Sequence, residues 1–113
     1  MLYVICTVNS DEPSVFYDEA EALRTIEEMS KSNVLKTAYR AGVSCEQFID
    51  KHWVEMEYTV DVDTYFEEIE STFSDADEAI SYAYRCREDN SCVSLYAEDI
   101  FEYDFSEDKW YRF

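Results

Sequence analysis

The stretch WVEMEYTVDVD, residues 53–63, alternates without interruption. Val54, Met56, Tyr58, Val60 and Val62 fall on one side, and Glu55, Glu57, Thr59, Asp61 and Asp63 on the other. Successive side chains of a strand point to opposite faces, so Trp53 to Val62 reads as one strand with an apolar face in the core and an acidic face in water. Working outward, Leu2 to Val8 reads as a buried strand, residues 64–70 as a weaker one and Ser91 to Ala97 as another. Residues 100–105 and 109–113 read as a hairpin across Ser106-Glu107-Asp108, with Phe101, Tyr103, Phe105, Trp110, Tyr111 and Phe113 available to complete the sheet.

Two helices are predicted between these strands. Asp18 followed three residues later by Glu21 is a capping arrangement, and Ala22, Leu23, Ile26 and Met29 recur at helical spacing, giving a helix from about Glu19 to Ser30. Asp75 to Glu88 is the second, with Ala79, Ile80, Ala83 and Cys86 on one side. Residues 31–51 read as one or two further helical turns around Leu35, Tyr39, Phe48 and Ile49, broken at Gly42. The two helix starts match at an offset of 57 residues: Phe16, Asp18, Glu21 and Ala22 are repeated as Phe73, Asp75, Glu78 and Ala79. The fold expected is α+β, one domain over residues 1–113. An antiparallel sheet would carry both helices on one face and end in a C-terminal hairpin. The repeat suggests the ferredoxin-like order β-α-β-β-α-β with a helical insertion.

Charge dominates the surface of this chain. It has 9 basic and 27 acidic residues, so 9 − 27 = −18 on 113 residues. From His52 to Tyr84 there are ten carboxylates and no lysine or arginine: Glu55, Glu57, Asp61, Asp63, Glu67, Glu68, Glu70, Asp75, Asp77 and Glu78. Residues 88–108 add eight acids, again without a base. Large apolar residues interleave with these acids, which a disordered acidic tail lacks, so the field is expected on a folded surface. Such a field repels nucleic acid and anionic membranes and attracts cationic protein surfaces. Residues 30–45 depart from the trend, with Lys31, Lys36 and Arg40 and no acid, and read as an orientation handle, a dimer contact, a partial neutralising patch or a surface helix with ordinary lysines.

The motifs of catalysis are missing. Cys6, Cys45, Cys86 and Cys92 lack the short spacings of a zinc site, His52 is the single histidine, and Gly42 the single glycine, which leaves no phosphate-binding loop. The cysteines are expected as reduced thiols, some in the core, with pairing of Cys86 and Cys92 left open. Asp61-Val-Asp63 resembles the start of a calcium loop, but Phe66 stands where its glycine belongs and Thr72 where its glutamate belongs. Weak Ca²⁺ or Mg²⁺ binding on the acids is the most that follows. No catalytic residue, metal site or cofactor is assigned. No targeting or membrane segment is read, and a cytoplasmic setting is expected.

Small, acidic, aromatic-rich and glycine-poor, with its carboxylates in the runs Glu55 to Glu78 and Glu88 to Asp108, the chain resembles the nucleic-acid-mimicking inhibitors of phages and mobile elements, the anti-CRISPR and anti-restriction proteins. The resemblance is one of character and carries over no family residue. It implies a host-defence nuclease as partner, bound at its cationic nucleic-acid groove in a bacterial cytoplasm. The ten carboxylates from Glu55 to Glu78 are the candidate partner-binding residues. An immunity or antitoxin protein facing a cationic toxin, and a small enzyme using a carboxylate pair, are the alternatives.

Overall fold

The structure, a computed structural model, describes residues 1–90 and 92–113. It is α+β, with two antiparallel sheets and two helices. The chain divides into two compact units, one formed by residues 1–42 and 46–54 and the other by residues 43–45 and 55–113.

The first unit contains β1 (Leu2–Thr7), β2 (Ser14–Phe16), α1 (Glu19–Lys31), β3 (Leu35–Ala41) and, apart from the terminal Cys45 and Glu55, which belong to the second, β4 (Cys45–Ile49) and β5 (His52–Glu55), in the sheet order β2-β1-β3-β4-β5. The second contains β6 (Tyr58–Asp63), β7 (Glu68–Phe73), α2 (Ala76–Asp89), β8 (Val93–Ala97), β9 (Phe101–Asp104) and β10 (Lys109–Arg112), in the order β7-β6-β8-β9-β10. The two orders are the same, so each unit is ββαβββ. The sequence repeat is therefore a repeat of fold, and α1 and α2 begin 76 − 19 = 57 residues apart. Asp18 and Asp75 cap the two helices alike, each side chain accepting from the backbone N–H three residues on, at 3.1 and 3.0 Å. Ala22 and Ala79 are both fully buried.

Three expectations are corrected. Each copy is ββαβββ, so the repeat does not give the ferredoxin-like order, and each sheet carries one helix where a single sheet with both was expected. Residues 31–51 are not a helical insertion; they hold β3 and β4, the counterparts of β8 and β9. The stretch has good helix formers, but β3 pairs with β1 over Leu2↔Ala41 to Thr7↔Leu35, and those ladder bonds outweigh propensity. The strand expected from Trp53 to Val62 is two strands, with Met56 and Glu57 between them and the partners in different sheets. The inward side also changes across that break. In β5 the packed residue is Trp53 and Val54 is 46% exposed, whereas in β6 Tyr58, Val60 and Val62 are buried. Ser91, where the strand 91–97 was expected to begin, lies outside the described residues.

In the first unit Tyr3, Ile5, Ala22, Ile26 and Ala38 form the core, with Phe16, Leu35, Phe48 and Trp53 packed against it. Arg40 is engaged: its guanidinium lies 4.3 Å from the Trp53 ring centroid and its Nε bonds Glu46 at 2.9 Å. Lys31 pairs with Glu27 one helical turn away. The basic stretch is thus the end of α1 followed by β3, with Arg40 held inside its unit.

In the second unit α2 covers one face of the sheet. Ala76, Ala79 and Ala83 are buried, and Tyr82 stacks on Phe73 and meets the Ser71 hydroxyl. The C-terminal hairpin completes the sheet as expected: Phe101, Tyr103 and Trp110 are buried, and Trp110 Nε1 donates to the Val43 carbonyl at 3.2 Å. Tyr84 ties α2 to that hairpin through Asp108 and the Phe105 carbonyl, and Arg87 stacks on Phe105.

Tyr58 anchors the start of β6. It is fully buried, accepts from the Cys45 N–H at 2.8 Å and reaches Glu55 Oε2 at 2.8 Å. Burial disfavours its ionised form and raises its pKa, so it remains a neutral donor. Tyr58→Phe removes the acceptor of a buried N–H and should cost about 1–3 kcal/mol in denaturant unfolding. Scarcity of glycine has a second consequence, because Asp50 and Lys51 join β4 to β5 with φ of 50° and 66°. Positive φ at both central residues is the type I′ hairpin pattern, which favours glycine. Lys51→Gly should therefore stabilise the fold by roughly 0.5–1 kcal/mol, the relief of a left-handed residue less the added freedom of the unfolded chain. A lower melting temperature would show that the turn is not strained.

Candidate acidic interface

The charge is divided unequally between the units. Residues 1–42 and 46–54 hold nine acids and five bases, a net of −4, whereas residues 43–45 and 55–113 hold eighteen acids and four bases, a net of −14. The densest acids of the second unit stand on its β6–β7 hairpin.

Burial of Tyr58, Val60 and Val62 under α2 turns Thr59, Asp61 and Asp63 to the opposite face. On the neighbouring strand Glu70 pairs with Asp61 and Glu68 with Asp63. Side chains directly across such a ladder are about 4.5–5.5 Å apart at Cβ, and like charges placed there are destabilising. Two such pairs are adjacent here. Charged residues on an edge strand such as β7 also discourage unwanted strand pairing. That accounts for Glu68 and Glu70, but not for Asp61 and Asp63, since β6 lies between β7 and β8.

These pairs occupy a part of the hairpin that the first unit lacks. Tyr3↔Phe16, Val4↔Val15 and Ile5↔Ser14 are the pairs of β1 with β2. Tyr58↔Phe73, Thr59↔Thr72 and Val60↔Ser71 are their counterparts, and β6 and β7 then continue through Asp61↔Glu70, Val62↔Ile69 and Asp63↔Glu68. The acids therefore stand on an extension of the common scaffold.

The cluster is electrostatically tense. Asp61, Glu68 and Glu70 present carboxylate oxygens within 4.8 Å of one another. With all three ionised, Asp61 Oδ1 is buried and has no donor. A protonated Glu68 can donate to Asp61, and this hydrogen bond, with the charges of Asp61, Glu70 and Asp63, raises the Glu68 pKa. Burial, and after it the charges of Glu70, Asp61 and Glu68, raises the pKa of Tyr96 on β8. Hard carboxylate oxygens in this number suit Ca²⁺ or Mg²⁺ chemically. A hollow lined by Asp61, Asp63, Glu68, Cys92, Val93 and Ser94 lies beside them.

The structure brings together only part of the expected site. Asp61, Asp63, Glu68 and Glu70 share the open sheet face, and Glu67 stands in the turn between the two strands. Glu55 and Glu57 leave the row. Glu55 ends β5 and accepts from Tyr58, and Glu57 lies exposed in the break before β6. Asp75, Asp77 and Glu78 belong to the N-terminus of α2, where Asp75 is the helix cap, and α2 packs on the other face of the sheet. Glu102 and Asp104 on β9 extend the acidic face: Tyr96 pairs Glu102, and Asp104 pairs Lys109. Asp104 accepts from the Ser106 hydroxyl and backbone N–H, which lowers its pKa and keeps it charged. Of the cysteines, Cys45 is buried and Cys92 exposed. Among the described residues no helix is long and apolar enough to cross a membrane. Comparison with family models, curated proteins and solved structures finds no match to this chain.

The Glu68 shift gives a pH test with a definite sign. An unfolded Glu68 ionises near 4.5 and the folded one higher. Between those values the folded chain binds more protons, so stability falls as pH rises through this window and the loss persists at neutral pH. Glu68→Gln should raise the melting temperature at pH 7, and its advantage should vanish below the unfolded value. Parallel profiles for the two proteins at all pH values would remove Glu68 as the source of tension.

Proposed function

We propose that this chain is an acidic inhibitor that binds the cationic nucleic-acid-binding surface of a host-defence nuclease, standing in for DNA or RNA. The observation that carries the reading is the pair of like-charge rungs, Asp61–Glu70 and Asp63–Glu68, kept on an open sheet face at a cost to the fold. The rungs repeat about 6.6–6.8 Å apart along the strand with two carboxylates to a rung, so their charge density along the strand is comparable to the one charge per roughly 3.4 Å of axis on each strand of B-DNA. Rigidity matters, because carboxylates fixed by a ladder need no ordering when the partner arrives. Inhibition is therefore stoichiometric, competitive with nucleic acid and weaker as salt rises.

The variant Asp61→Asn, Asp63→Asn, Glu68→Gln, Glu70→Gln tests this on restriction and CRISPR nucleases assayed for DNA cleavage. It should melt higher than the wild type and yet inhibit roughly a hundredfold less well, since charges at an interface act on association and register. Undiminished inhibition by the neutral variant would sink the proposal. Multiple turnover of a small substrate by the pure protein would replace it with an enzymatic reading, and binding confined to a cationic toxin would replace it with an immunity protein.

A further inference from the structure

The extension of the β6–β7 hairpin ends in two aromatic residues turned to solvent. Tyr65 is 96% and Phe66 91% exposed, higher than any other large apolar side chain described. Their rings meet edge to face with centroids 5.2 Å apart. The turn that presents them is closed at its base. The Thr64 N–H and hydroxyl both reach the Glu67 carbonyl at 2.8 Å, and the Glu67 N–H donates back to the Thr64 hydroxyl at 3.0 Å. Among the described residues no packing contact of the second unit other than their own uses the two rings, which stand between Asp63 and Glu67 in a run without a single base.

We infer that this tip is the anchor of the partner contact: Tyr65 and Phe66 enter an apolar slot in a cationic protein surface, while Asp61, Asp63, Glu67, Glu68 and Glu70 meet the lysines and arginines that rim it. The inference rests on the inhibitor reading and adds a partner chemistry to it. Interfaces draw most of their energy from a few desolvated aromatic anchors surrounded by polar contacts that exclude water. Charge decides the occupant. A second copy of the chain would bring the same carboxylates against one another, and an anionic membrane or nucleic acid would be repelled for the same reason. Surfaces that bind single strands combine basic side chains with stacking platforms, and arginine itself stacks on aromatic faces. An aromatic pair among carboxylates offers such a surface both of the groups a nucleotide offers, a π face and negative charge.

The test uses the full chain and two fluorescent peptides with the same number of arginines, one of arginine alone and one of arginine alternating with tryptophan. The arginine–tryptophan peptide should bind the wild type about tenfold more tightly, in line with one stacking contact. Tyr65→Ser with Phe66→Ser should abolish that preference, weaken the arginine peptide less than the arginine–tryptophan peptide and leave the melting temperature unchanged. Tyr17→Ser, at an aromatic 76% exposed in the first unit, should keep the preference. Equal affinity of the wild type for both peptides, with binding lost in the four-site neutral variant, overturns the anchor and spares the charge reading. A preference that survives the double serine variant also overturns the anchor. If neither peptide binds the wild type, both readings fall.

Discussion

The arrangement of the second unit follows from the two-residue period of β6. Tyr58, Val60 and Val62 must be buried under α2, and their burial leaves Asp61 and Asp63 no other face. The register with β7 then sets Glu70 and Glu68 opposite them. A slip of one residue would expose the core and bury the acids, so the apolar face holds the charged face in position. The like-charge rungs are consequently a cost that the core tolerates, because the apolar contacts outweigh the repulsion. The fully buried Tyr58, Val60 and Leu95 supply those contacts.

The repeat shows where the molecule is specialised. Both units use ββαβββ, the same sheet order and the same aspartate cap. In the second unit the first hairpin runs three further rungs, and those rungs hold the paired acids and end in Tyr65 and Phe66. With net charges of −4 and −14 on equivalent scaffolds, the fold itself does not require the acids. Charge is a property of association more than of architecture.

Much of this was legible in the sequence because it depends on local rules. The helix starts, the offset of 57 residues and the C-terminal hairpin follow from capping and alternation, which act within a few residues. The break at Met56-Glu57 was not legible. Val54, Met56 and Tyr58 keep an unbroken two-residue pattern in the sequence, although the packed side changes from Trp53 in β5 to Tyr58 in β6. Periodicity cannot report a change of sheet. The strands β3 and β4 were hidden for a different reason: Leu35, Lys36, Ala38 and Arg40 favour helix in isolation, and pairing of β3 with β1, distant in sequence, and with β4 makes them a ladder. The candidate site inherits the first error, which sets Glu55 and Glu57 in a row with Asp61 and Asp63, and the strand expected over residues 64–70 is β7 (Glu68–Phe73), whose register alone makes Glu70 and Glu68 their cross-strand partners.

The same physics links stability and binding with opposite signs. Carboxylates at the Asp61–Glu70 and Asp63–Glu68 rungs repel one another in the free protein, and each neutralised charge relieves the fold. A cationic surface does what protonation or salt does, but it does so at defined positions. Under the proposed function, part of the repulsion in the hairpin is released on binding, so complex formation would gain from a cost already present in the free chain. Salt acts on both sides of this balance: it screens the repulsion, which stabilises the free chain, and it screens the attraction, which weakens the complex. A protein whose acids were merely a solvated surface would show the first effect without the second.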